Sequence, residues 1–170
     1  MKLCLSFVLL LTHFISINAQ SSTVPELENC MNSVDDINNK KLKVDFEKAV
    51  INYLDAVKNR QGDKALSYVS KDLPMAHVLP GPRVLTNFAA YEESQRPWHE
   101  GSTGNYDYKI QSLTVTPGLG FASIIAFYDN IDSETQKPFS KEIYISFLFK
   151  HVDGSWLMIH SQNSVLKEVR

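Results

Sequence analysis

Cysteine is almost missing from this chain: there are two, Cys4 and Cys30. Cys4 lies in an N-terminal apolar block that is expected to be cleaved off, which leaves Cys30 alone and excludes an internal disulfide. In an oxidising compartment a lone cysteine is either a free thiol or a bridge to a second chain, and both readings stay open. Also absent are an Asn-x-Ser/Thr sequon, so N-glycosylation is not expected, and a Gly-x-Ser-x-Gly elbow for a nucleophilic serine. His77, His99, His151 and His160 form no His-x-His and no i, i+4 pair, and no cysteine cluster stands near them. No metal site is expected from such spacing. Gly118-Leu119-Gly120 has no helix pattern after it, so a phosphate cradle is excluded and no cofactor is expected. The formal net charge is −2 and the basic residues are scattered; Lys40-Lys41-x-Lys43 is flanked by Asp35, Asp36 and Asp45. Neither nucleic acid nor an anionic membrane is an expected partner.

What is present begins with an export signal. Met1-Lys2 precedes an apolar block, Leu3 to Ile17, and Ala19 supplies a small residue before a polar start at Gln20. Residues 1–19 are read as a signal peptide, with an uncleaved anchor as the alternative, and the mature protein as secreted. The block is short for a span, and no later stretch is long and apolar enough to cross a bilayer. Residues 20–43 read as a polar N-terminal arm carrying Cys30, and residues 44–170 as one domain.

Val44 to Arg60 repeats apolar residues at helical spacing, Phe46, Val50, Tyr53, Leu54 and Val57 forming a stripe opposite Asp45, Glu47, Lys48 and Asp55. Gly62 is expected to stop this helix and Asp63 to cap a short second one through about Ser70. Met75 to Val84 is β-type, broken by a turn at Pro80-Gly81-Pro82. Thr86 is expected to cap a third helix that ends near Arg96-Pro97. Four β-runs follow, Tyr106–Thr116, Phe121–Asp129, Glu142–His151 and Trp156–Val165, the first three separated by Pro117-Gly118-Leu119-Gly120 and by the polar Asp132 to Ser140, predicting an antiparallel meander. The class is α+β. Ile143, Ile145, Phe147 and Phe149 share one strand face while Tyr144 and Leu148 make the other partly apolar. A sheet apolar on both faces needs cover on both, and a second copy of the chain is the expected cover for the outer one. Trp156, His160 and Gln162 differ by even numbers, which predicts a shared face.

Asp153-Gly154 is a two-residue turn signal between apolar runs. The sentence Asp153-Gly154-x-Trp156-x-x-x-His160-x-x-x-Ser164 resembles the closing hairpin of SnoaL-like proteins, within the nuclear transport factor 2-like superfamily. That resemblance implies a cone: a strongly curved antiparallel sheet wrapped around three helices, commonly dimeric through the outer face of the sheet, with a pocket inside. It names no reaction, since the superfamily holds isomerases, dehydratases, ligand binders and structural modules. SnoaL-like chains often carry His-x-His-x-x-Ser in the last strand, and Gln162 stands here at the second His. Compared with ketosteroid isomerases, Tyr53 falls where a tyrosine donates to an oxyanion, and His77 falls close to the place of the base aspartate.

The leading expectation is binding of a small, mostly apolar molecule, contacted by Tyr53, His77, Trp98, Tyr144, His160 and Gln162. An acid–base isomerase or dehydratase is the alternative, with Tyr53, His77 and His160 as its catalytic residues. A third possibility is a dimerisation module whose pocket is filled by its own side chains. Trp98-His99-Glu100 reads either as a lid over the pocket mouth or as a loop anchor.

Overall fold

The computed structural model describes residues 25–80, 83–101, 104–132 and 134–169. The expected signal peptide, Gly81-Pro82 of the expected turn and the side chain of Cys30 lie outside the described part.

The first helix, α1, runs Pro25–Lys58 rather than from Val44, so the segment read as an arm is helical from Pro25 on. Proline presets the first-turn φ, and neither Gly nor Pro interrupts the chain again before Gly62. The stripe is buried as expected: Phe46, Val50, Tyr53, Leu54 and Val57 are all in the core. The helix closes by backbone bonds from Gln61 N–H to the Ala56 carbonyl, 2.9 Å, and from Arg60 N–H to the Val57 carbonyl, 3.2 Å. Such a closure puts its penultimate residue in the left-handed region, and Arg60 has φ 59°. Gly62 opens α2 (Gly62–Leu66), which has no side-chain cap.

Strands β1 (Ala76–Val78) and β2 (Val84–Leu85) pair antiparallel around the expected turn. Asn87, not Thr86, caps α3 (Phe88–Gly101), its Oδ1 accepting from Ala90 N–H at 2.9 Å. Proline does not end this helix, which carries Pro97 inside it. Arg96 straps the turn that lacks a backbone bond, pairing at 2.7 Å with Glu92 and with Glu100, one turn either side, and at 2.7 Å with Asp63 of α2.

The meander is β3 (Asn105–Thr116), β4 (Leu119–Ile131), β5 (Pro138–Val152) and β6 (Ser155–Val169). Gly118 at φ 89° and Asp153-Gly154 at φ 49° and 79° make the tight turns that the sequence announced. The sheet order is β2-β1-β6-β5-β4-β3, antiparallel except where β1 joins β6 in parallel. This curved sheet around helices is the expected α+β architecture.

Cross-strand register stacks the inner face in rows. Gly120, Phe149 and Met158 make the row at the closed end. Phe46 plugs that end, with its ring 5.6 Å from Phe149 and 4.9 Å from Trp156. A Cβ on Gly120 would collide with the Phe46 ring, which is why the strand carries glycine there. The next rows are Ala122–Phe147–Ser161, Ile124–Ile145–Asn163, Ala126–Ile143–Val165 and, last, Tyr128–Lys141.

Candidate functional site

Those rows are the wall of a cavity of about 420 Å³. From Phe147 to Lys141 the wall spans roughly 20 Å along β5. Tyr53 and Val57 of α1 line one side, and α3 closes over the top. Along α3, Tyr91, Ser94, Gln95, Trp98 and His99 all face in, at i, i+3, i+4, i+7 and i+8. Tyr91 meets the deepest row, its ring 4.3 Å from His77. Trp98 sits at the other end, 5.6 Å from the Tyr106 ring and 5.9 Å from Tyr128. Arg60 holds it there, with its guanidinium 5.2 Å above the indole and hydrogen-bonded to the carbonyls of Trp98 and Gly104.

The wall between the two ends is mostly apolar, with Ser94, Gln95 and Asn163 as its polar members, and among the described residues none of the lining carries a carboxylate. Its polar groups are uncharged at the deep end. Tyr53 and Tyr91 hydroxyls are 3.3 Å apart. Burial raises both tyrosines above their ordinary pKa, and Tyr106, also in the wall, is raised in the same way. Ser161 Oγ lies 2.8 Å from His77 Nδ1, and His77 Nε2 is buried without a partner. Burial, and next the nearby His160, lowers His77 to about 4. His99 is 2% exposed with both ring nitrogens unpartnered, and burial, then Arg60 and Arg96, lowers it to about 4. Both imidazoles are therefore neutral at physiological pH. Among the described residues the cations of the lining are Lys141, in the last row, and Arg83, which reaches Ser94 of α3 at 3.4 Å.

Of the six expected contacts, Tyr53 and Trp98 line the cavity. His77 stands directly behind the wall, touching it through Ser161 and Tyr91. Tyr144, His160 and Gln162 are on the other side. Tyr144 alternates with Ile143 and Ile145, which line the cavity, so it points outward and is exposed. The misplacement of His160 and Gln162 has a specific cause. Leu148 pairs with His160 but Phe149 with Met158, so Ile159 is an extra residue in β6. Such a bulge breaks the alternation. Trp156 and Met158 face in, then Ser161, Asn163 and Val165 do, and His160 and Gln162 go outside. Tyr91, His99, Tyr106, Ser161 and Asn163 were not expected as contacts. The i, i+4, i+8 spacing of Tyr91, Gln95 and His99 was visible in the sequence as one helix face. Ser161 and Asn163 left no signal, because only the bulge turns them inward. Among the described residues no group of three or more His, Cys, Asp and Glu side chains comes together.

A curved sheet closed at one end around helices, with an apolar cavity open at the other, is the nuclear transport factor 2-like fold. Within that class the chain belongs to the SnoaL-like domain family, whose model matches residues 47–168. No curated protein matches it. Solved structures similar to it include a ketosteroid isomerase-like protein from Erwinia carotovora atroseptica (16% identity, TM-score 0.65, covering 74% of this chain and 96% of that one). A nuclear transport factor 2-like superfamily protein from Salmonella enterica is 11% identical (TM-score 0.62, 74% and 92% covered). A candidate scytalone dehydratase from Novosphingobium aromaticivorans is 8% identical (TM-score 0.60, 74% and 84% covered). At these identities the likeness is one of fold.

Proposed function

We propose that this protein is exported and binds one small, mostly apolar molecule in the cavity of its SnoaL-like domain. The observation that carries this reading is the cavity itself: about 420 Å³, walled by Val57, Trp98, Ile143, Ile145 and Phe147, with a few neutral polar groups at fixed places. A dimerisation module with a filled pocket does not account for that open volume. An acid–base enzyme is the weaker reading, since among the described residues the lining has no carboxylate, His160 is outside, and His77 is a poorly matched base at neutral pH.

Export and dimerisation complete the proposal. The apolar block before Ala19 supports cleavage there, and N-terminal sequencing of secreted material should begin at or beside Gln20; an intact Met1 contradicts it. The outer sheet face supports a second copy as its cover. It exposes Phe121, Phe127 and Tyr144 beside Lys109, Lys150 and Asp107, the last already paired with Lys58 of α1 at 2.9 Å. The binding reading is tested by mass spectrometry of organic extracts from purified protein. A compound that accompanies the wild type and is missing from folded Ile145→Trp, whose indole projects into the middle of the cavity and obstructs it, is the expected result. Identical extracts from both proteins count against it.

A further inference from the structure

Where the β1–β2 hairpin meets α3, the cavity has a cluster of donors that its own residues do not answer. Arg83 stands at the foot of β2, its carbonyl accepting from Leu79 N–H at 3.0 Å, and Leu79, Pro80 and Arg83 all reach the lining. Ser94 and Gln95 of α3 line the cavity beside them. Arg83 Nη2 donates to Ser94 Oγ at 3.4 Å, and Gln95 Nε2 donates to the same oxygen at 3.2 Å. Both lone pairs of that hydroxyl are then taken. Its proton points away from the two donors and has no acceptor among the described residues. The Arg83 guanidinium likewise has further N–H groups to give. Charge is unanswered as well. The lining holds two cations and, among the described residues, no carboxylate; Lys141 is paired with Glu168 at 3.4 Å, whereas Arg83 has no such partner.

A carboxylate meets both demands. It only accepts, and its pair of oxygens matches the guanidinium fork while the Ser94 hydroxyl proton turns to it. An ammonium headgroup would set a second cation beside Arg83, and a hydroxyl headgroup would leave the charge unmatched. Position agrees with chemistry. Arg83 is exposed while Ser94 and Gln95 are half-buried, so a headgroup held there keeps water on one side and escapes most of the cost of burying a charge. Val57, Ile145 and Phe147 offer apolar surface for the rest of the molecule. We propose that the occupant is an amphipathic monocarboxylate of the fatty-acid class, its headgroup held by Arg83 and Ser94 between the hairpin and α3 and its hydrocarbon tail inside the cavity.

This rests on the binding reading above, and the test separates the two. Dodecanoate, dodecanol and dodecylammonium share one tail and differ in headgroup charge. Isothermal titration calorimetry at low salt should show wild type binding dodecanoate on the order of tenfold more tightly than dodecanol, the worth of one charge-assisted contact, and dodecylammonium least of the three. Raising the salt should narrow the gap. Arg83→Gln should bring acid and alcohol within a few-fold of each other by weakening the acid, and Arg83→Lys, which keeps the charge without the fork, should retain more of the preference. Equal affinity of wild type for acid and alcohol overturns the headgroup site and leaves the cavity as an apolar binding site. Failure of all three probes to bind overturns both. A preference that survives Arg83→Gln intact overturns the site at Arg83. A readout free of variants is the carbon-13 resonance of carboxyl-labelled dodecanoate on wild type. Beside a guanidinium it should titrate below the free acid; a midpoint at or above that of the free acid overturns the proposal.

Discussion

Arg60 occupies a backbone position where glycine relieves strain, and the left-handed conformation costs about 1 kcal/mol for a residue with a Cβ. What offsets the cost is the side chain, which stacks on Trp98 and bonds two carbonyls across the mouth of the cavity. Arg60→Gly should therefore leave the fold close to its original stability while loosening Trp98, read as a red-shifted, more quenchable indole emission; an unchanged spectrum contradicts the role given to Arg60. His77 and His99 make a second prediction. Both are held neutral well below the ordinary histidine range, at about 4, so the unfolded chain takes up their protons first as pH falls. Their contribution to stability is complete above pH 6.5 and is lost as pH drops toward 4, on the order of 2 kcal/mol for each buried ring by about pH 4.5. Urea unfolding at about pH 7.5 and 4.5 should show that loss, reduced by roughly half in His99→Phe. Equal stability at the two pH values would mean that the rings are exposed or paired.

The elements were legible in the sequence to different degrees. The buried stripe of α1 and the four strands of the meander follow from periodicities of 3.6 and 2, and the turns at Pro117-Gly118 and Asp153-Gly154 from their φ demands. The start of α1 and the end of α3 were missed for one reason. Polarity at 25–43 and Pro97 are local signals, whereas the helix persists at Pro25 for want of a breaker and at Pro97 because Arg96 ties three carboxylates around it. The site was legible only where one element made it. Tyr53 comes from the helix stripe and Trp98 from one face of α3, but the inward set of β6 depends on Ile159, which no alternation rule contains. The bulge is open to a chemical test in a background with Cys4 and Cys30 changed to Ser. With Phe127→Arg added to keep the outer face uncovered, a maleimide should modify Gln162→Cys roughly tenfold or more faster than Ser161→Cys, because only the former is on the outside. The reverse order would restore unbroken alternation and return Gln162 to the cavity.

At the scale of the whole molecule the sheet divides two tasks between its faces. The inner face, mostly apolar in its middle rows and neutral-polar at the deep end, encloses the cavity; the outer face carries aromatic rings among charges of both signs and is proposed to meet a second copy. Light scattering at tens of micromolar should report about twice the mass of the exported chain, and Phe127→Arg should reduce it to one; a monomeric wild type contradicts the dimer. Because the proposed interface and the cavity lie on opposite sides of one sheet, that variant should keep its ligand site. The most direct test of the central claim is equilibrium titration with Nile red, an uncharged apolar dye, of wild type and of Ile145→Trp with its fold verified by circular dichroism. Saturable binding near one dye per chain in the wild type, abolished by the indole that obstructs the middle of the cavity, is the predicted result; dye binding that is absent from the wild type, or undiminished in Ile145→Trp, would contradict it.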